Sequence, residues 1–150
     1  MDRRSALKVL GLAGSAVTAL VSLPKLAMAS WAKTAFEARS GADALQNLYG
    51  GNATTPSDAV KLKAPDIAEN GAVVPIEVET DMEADSIAIL IEKNPSPLAG
   101  SFNLPAGTKG LVKTRVRMGE TTNVTAVVKS GGKLYTTTKE VKVTIGGCGG

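Results

Sequence analysis

Hydrophobic and polar residues alternate strictly in two stretches of the chain. In Val74-Pro75-Ile76-Glu77-Val78-Glu79 and Val112-Lys113-Thr114-Arg115-Val116-Arg117, small apolar residues or threonine alternate with mostly charged ones. Successive side chains of a strand point to opposite faces, so this period of two predicts half-buried β-strands. Weaker versions of the pattern predict further strands at 60–63, 86–92, 102–104, 124–129 and 134–145. Ser130-Gly131-Gly132 between the last two is a short hairpin signal. Alternation of this kind belongs to an antiparallel sheet with one face on the core and one in water.

Upstream of residue 60 the pattern is different. Ala32, Ala35, Phe36 and the run 42–48 are rich in Ala, Leu and Gln, with Ser40 or Asp43 as N-cap candidates and Gly50-Gly51 as a stop. Two short helices, or one broken at Gly41, satisfy this. About seven short strands separated by turns, with no helical pattern between them, predict an all-β, immunoglobulin-like antiparallel β-sandwich. It has a short N-terminal helical segment at 31–49, a sandwich at 60–145 and a flexible C-terminal arm at 146–150. With one Trp, two Tyr and two Phe, the core must be built from Val, Ile, Leu and Ala. The Cys-Trp-Cys pattern of antibody domains is absent.

The first 29 residues form an export signal. Arg3 and Arg4 precede an apolar stretch from Val9 to Leu23, and Ala27-Met28-Ala29 supplies small residues for cleavage after Ala29. The apolar run is shorter than the roughly 18 to 20 residues that a spanning helix needs. The paired arginines, with Leu7 and Lys8, suggest the twin-arginine route, although Asp2 and Ala6 depart from its usual pattern. The mature domain is then 30–150, and its expected location is the periplasm, with no membrane association once the signal is removed.

Removing the signal changes the charge. Of 17 Lys and Arg against 14 Asp and Glu, the segment takes Arg3, Arg4, Lys8 and Lys25 against Asp2, which leaves the mature chain balanced. A nucleic-acid role thereby loses the basic excess it would need.

Cys148 is the sole cysteine, set in Gly146-Gly147-Cys148-Gly149-Gly150 at the C-terminus. Exported proteins usually pair their cysteines, so a single one implies an intermolecular partner or a reactive site. Glycine lacks a Cβ and visits both signs of φ, so the flanking pairs make a thin, flexible arm. Three extended residues beyond Ile145 carry the Cys148 backbone about 10 Å outward, enough to enter a narrow pocket of another protein.

Histidine is absent from the chain. A Cys-His pair or Ser-His-Asp triad therefore cannot form, and the common zinc ligand sets are missing. No Walker loop or Rossmann fingerprint is present. Asp81, Glu83, Asp85 and Glu92 have some calcium-loop spacing, but Ser86 stands where glycine is needed and 87–91 reads as a strand, so the cluster is a solvated turn. No cofactor, metal or catalytic residue is expected. Near the C-terminal carboxylate, with no cation in the arm, the Cys148 thiol is not activated by its own chain. Lys139 and Lys142 could reach toward the arm, but their default role is strand surface. Cys148 is accordingly a handle on which other enzymes act.

The sequence Val141-Lys142-Val143-Thr144-Ile145-Gly146-Gly147-Cys148-Gly149-Gly150 resembles the C-terminus of the SoxY family, sulfur-carrier subunits of the periplasmic thiosulfate-oxidising Sox system. Residues 64–75, Glu92-Lys93-Asn94-Pro95 and the twin-arginine start resemble it too. The resemblance implies a sandwich that pairs with a SoxZ-like subunit as a heterodimer, with Cys148 as the covalent attachment atom and Gly146, Gly147, Gly149 and Gly150 as the arm. It further implies transient partners: SoxXA, a haem enzyme, joins thiosulfate to the cysteine as an S-thiosulfonate. SoxB hydrolyses off sulfate, and a sulfane dehydrogenase, where present, oxidises the persulfide sulfur that remains. Two other readings compete: an exported immunoglobulin-like adhesion or assembly module with a dispensable thiol, and a ubiquitin-like carrier activated at Gly150. The second needs ATP, and its fold does not match the strand-rich pattern.

Overall fold

The computed structural model describes residues 31–144. Two helices, α1 (Lys33–Phe36) and α2 (Gly41–Tyr49), precede nine strands: β1 (Thr54–Pro56), β2 (Val60–Lys63), β3 (Ile67–Ala68), β4 (Val74–Thr80), β5 (Ser86–Ile91), β6 (Leu98–Asn103), β7 (Gly110–Val116), β8 (Thr122–Ser130) and β9 (Lys133–Val143). They form a larger sheet in the order β1-β9-β8-β5-β6, with β3 also on β9, and a smaller sheet in the order β2-β4-β7. The architecture is the expected immunoglobulin-like sandwich.

The smaller sheet follows the period of two. Val74, Ile76 and Val78 are buried, and they sit opposite Val116, Thr114 and Val112 of β7. On the outer face Glu77 meets Lys63 at 2.7 Å and Lys113 at 2.9 Å, and Glu79 meets Lys109 at 3.4 Å. The hydrogen bonds from Lys63 and Lys113 hold the Glu77 carboxyl below its ordinary range. These lysines are exposed, so the pairs order the face more than they stabilise the domain.

The larger sheet departs from that pattern. All of Ser86–Ile91 is buried. Ile87, Ile89 and Ile91 join Val124, Ala126 and Val128 in the inter-sheet core, whereas Ala88 and Leu90 turn outward onto Ala35, Ala44 and Leu45 of the helical segment. The expected wet face is here sealed by α1 and α2. Fully burying a side chain such as Leu45 contributes about 1.5–3 kcal/mol. Helix α2 starts where Ser40 Oγ accepts from the Asp43 amide at 3.1 Å and ends at Gly50, whose φ of 75° few other residues tolerate.

The strand count exceeds the expected seven because β1 and β3 have only three and two residues. Both run parallel to β9 and are held by backbone bonding, which leaves no side-chain alternation to read. Strand β6 also starts earlier than the predicted 102–104, at Leu98. The β8–β9 hairpin turns at Gly131 and Gly132, with φ of 57° and 77°, the left-handed pair that a two-residue loop with right-handed strand twist requires.

Candidate functional site

Cys148 and the glycines Gly146, Gly147, Gly149 and Gly150 lie outside the described residues, as do Ile145 and the expected signal at 1–29. The described residues nearest to them are the end of β9 up to Thr144, the root of the expected arm.

That root is braced from both sides. Strand β8 pairs with β9 antiparallel from Ser130↔Lys133 to Thr122↔Val141, and β3 adds a parallel pairing at Ile67↔Lys142 and Ala68↔Val143. The Lys142 amide donates to Asp66 O at 3.0 Å, and the Thr144 amide to Ala68 O at 3.2 Å. Between them the Val143 amide donates to Thr121 Oγ1 at 2.9 Å. Successive amides at 142, 143 and 144 are thus each satisfied. Val141 is completely buried in the inter-sheet core, so the strand is fixed by packing as well as by hydrogen bonds.

Gly71 closes the brace. Its amide oxygen accepts from the Met118 amide at 2.7 Å, and a Cβ at this position would lie 2.4 Å from Met118 O and 2.9 Å from Val143 Cγ1. Only glycine lets the loop between β3 and β4 approach the end of β9 this closely.

Lys139 has a use that strand surface alone does not describe. Its Nζ donates to Ala64 O at 2.6 Å and pairs with Asp66 Oδ1 at 2.8 Å, tying the segment before β3 to β9. Lys142 is exposed. The Asp66 carboxyl is held below its ordinary value of 3.8, first by the hydrogen bond from Lys139 and then by its charge. A depressed carboxyl contributes above its unfolded value and loses that contribution as pH falls through its folded value. The tie is therefore expected to be complete at neutral pH and to release below about pH 3.8, with the Asp66 carboxyl titrating below that value in a carbon-detected NMR titration. Titration of Asp66 at or above 3.8 would mean that Lys139 does not hold it.

Asp66, Gly71 and Thr121 escaped the sequence reading because two-residue pairing and a close backbone approach leave no periodic trace. The only hint is that Asp66 and Gly71 fall within residues 64–75, a stretch that carries part of the family resemblance. Asp81, Glu83 and Asp85 lie in the β4–β5 connection, and among the described residues no cluster of three or more His, Cys, Asp or Glu could hold a metal ion. No helix of the described residues is long and apolar enough to cross a membrane.

Fold and brace together define an immunoglobulin-like sandwich module whose last described strand, β9, is fixed at its end by β3, β8 and Thr121. Comparison with known proteins gives that module a family. The model of the sulfur oxidation protein SoxY matches residues 45–148. The structure of the sulfur carrier protein SoxY from Chlorobium limicola f thiosulfatophilum superposes with a TM-score of 0.63 at 44% identity, covering 69% of this chain and 94% of that one. The chain belongs to the SoxY family. A superoxide reductase (neelaredoxin) from Ignicoccus hospitalis shares the fold at 15% identity, with a TM-score of 0.52 over 57% of this chain and 80% of its own. No curated protein sequence matches significantly.

Proposed function

We propose that this chain is a covalent carrier of sulfur intermediates in thiosulfate oxidation, with Cys148 as the attachment atom. The observation that carries the reading is that the match to the SoxY model runs through the sandwich and ends on Cys148. The braced root supports it, because a carrier that visits several active sites needs a fixed body and a thin terminal arm, here Gly146, Gly147, Gly149 and Gly150.

In the loading step the thiol loses its proton and its sulfur bonds to the terminal sulfur of thiosulfate, giving Cys148–S–S–SO3⁻. The electron pair released passes to a SoxXA-like haem partner. Hydrolysis by a SoxB-like partner then breaks the bond between the outer sulfur and the sulfonate: water supplies oxygen to sulfate and a proton to the persulfide left on Cys148. Where a sulfane dehydrogenase is present, it oxidises that outer sulfur. With no histidine in the chain and no cation among residues 146–150 to activate the thiol, the chain acts as a substrate of these enzymes rather than as an enzyme. A SoxZ-like subunit completes the carrier as a heterodimer, and the pair acts in the periplasm after export as a folded unit through the signal at 1–29.

Accessibility of the thiol is testable directly. Purified chain left in air without reductant is expected to form a Cys148–Cys148 dimer that dithiothreitol reverses on a gel. Persistence of monomer alone would mean that the thiol is hidden, and the carrier reading would fail.

A further inference from the structure

We infer that β7 is the docking edge of this domain and that its occupant is an extended strand of the carrier's partner subunit bearing acidic side chains on its outer face. The inference rests on the heterodimer reading above and adds the surface that makes it.

The two sheets have four edges, and three are blunted. The outer side of β9 carries β1, three residues long and ending in Pro56, and β3, only two residues long. Strand β2 has four residues and is followed shortly by Pro65. Strand β6 follows Pro95 and Pro97, and its pairing with β5 is interrupted by a register shift at Ile89/Leu90. Short strands, prolines and bulges are the devices that keep sheet edges from pairing. Strand β7 has none of them. It has seven residues, no proline and an unbroken register with β4 from Thr80↔Gly110 to Val74↔Val116, and among the described residues it pairs with β4 alone.

The direction of its free groups can be assigned. The Leu111 amide donates to Lys109 O at 2.8 Å, and so points away from β4. Alternate residues of an antiparallel strand direct their amide and carbonyl to the same side. Lys113 and Arg115 therefore present theirs to the open edge, and Val112, Thr114 and Val116 present theirs to β4. Beside this edge a groove of about 250 Å³ separates β7 from β6, with Gly100 and Phe102 on one wall and Thr114 and Arg115 on the other. An added strand would cover it with its inward side chains.

Charge chooses the occupant. Lys113 and Arg115 on β7 are exposed, as is Arg117 just past its end, where the Arg117 carbonyl accepts from Asn94 Nδ2 at 2.7 Å. Lys113 is paired with Glu77 at 2.9 Å, but Arg115 stands opposite Pro75, and neither arginine has an acidic partner among the described residues. A second copy of this chain would bring the same cations face to face, and like charges on opposed strands destabilise the pairing. A strand with Asp or Glu at alternate positions satisfies both arginines.

The test is residue-resolved hydrogen exchange on the full chain, alone and co-expressed with the SoxZ-like subunit. In the complex the Lys113 and Arg115 amides are expected to exchange at least about tenfold more slowly, while Val112 and Thr114 are protected in both states. Arg115→Glu with Arg117→Glu is expected to weaken the complex by about tenfold or more without shifting the melting temperature of the free chain. A complex that forms with the Lys113 and Arg115 amides unchanged overturns this inference and leaves the heterodimer reading intact. Absence of any complex overturns both. Concentration-dependent protection of the same amides in the free chain would show a second copy on the edge, and would overturn the choice of an acidic partner strand.

Discussion

Replacing Cys148 by serine is expected to reduce thiosulfate oxidation, reconstituted with the partner enzymes, to the level seen without this chain. Serine keeps the size of the side chain but offers an alcohol, which at neutral pH neither bonds oxidatively to a sulfur atom nor releases one as a persulfide. No other residue can substitute, because the chain has a single cysteine. Flanked by glycine pairs, Cys148 is read as part of a thin arm and not of a packed core, so stability of the variant is expected to stay within about 0.5 kcal/mol of the parent. Oxidation at the parental rate by a folded Cys148→Ser chain would remove the carrier reading.

The second large effect is expected far from the thiol in sequence. In Gly71→Ala the new methyl group would sit 2.4 Å from a backbone oxygen, Met118 O, and 2.9 Å from Val143 Cγ1. A backbone atom cannot swing aside as a side-chain tip can, so the loop and the end of β9 must separate. Overpacking of this kind costs about 1–3 kcal/mol. For a domain of this size each kcal/mol lowers the melting temperature by roughly 4 °C. Because the atoms displaced include Val143, loading of Cys148 is expected to slow as well, by misplacing the base of the arm. Gly119→Ala is the control: a Cβ there meets nothing within 4 Å, and both stability and loading should be unchanged. Equal melting temperatures for the two variants would show that the brace is not under the tight contact described.

The sequence disclosed these features unevenly, for physical reasons. Strands β4 and β7 were legible because their sheet has water on one face, so burial alternates with charge at every residue. Strand β5 was found, but its surroundings were not: Ala88 and Leu90 are as apolar as Ile87 and Ile89, and only the packing of Ala44 and Leu45 against them explains why. The helix boundaries at Ser40 and Gly50 were readable from local chemistry, since a side-chain cap and a left-handed glycine act within a few residues. The brace was not readable. Lys139 is far along the chain from Asp66, and no pattern in either neighbourhood announces their 2.8 Å pairing. The cysteine and its glycines stand out in composition alone but lie outside the described residues, and what holds Thr144 just before them is tertiary.

The carrier reading rests on one atom, Cys148 Sγ, and one measurement addresses it most directly. The chain is incubated with thiosulfate and the SoxXA-like partner, and the C-terminal peptide is then weighed intact by mass spectrometry before and after reduction. The account predicts a thiosulfate adduct on Cys148 that reductant removes, shortened to a persulfide when the SoxB-like partner is added. A Cys148 peptide that stays unmodified while thiosulfate is consumed would contradict it.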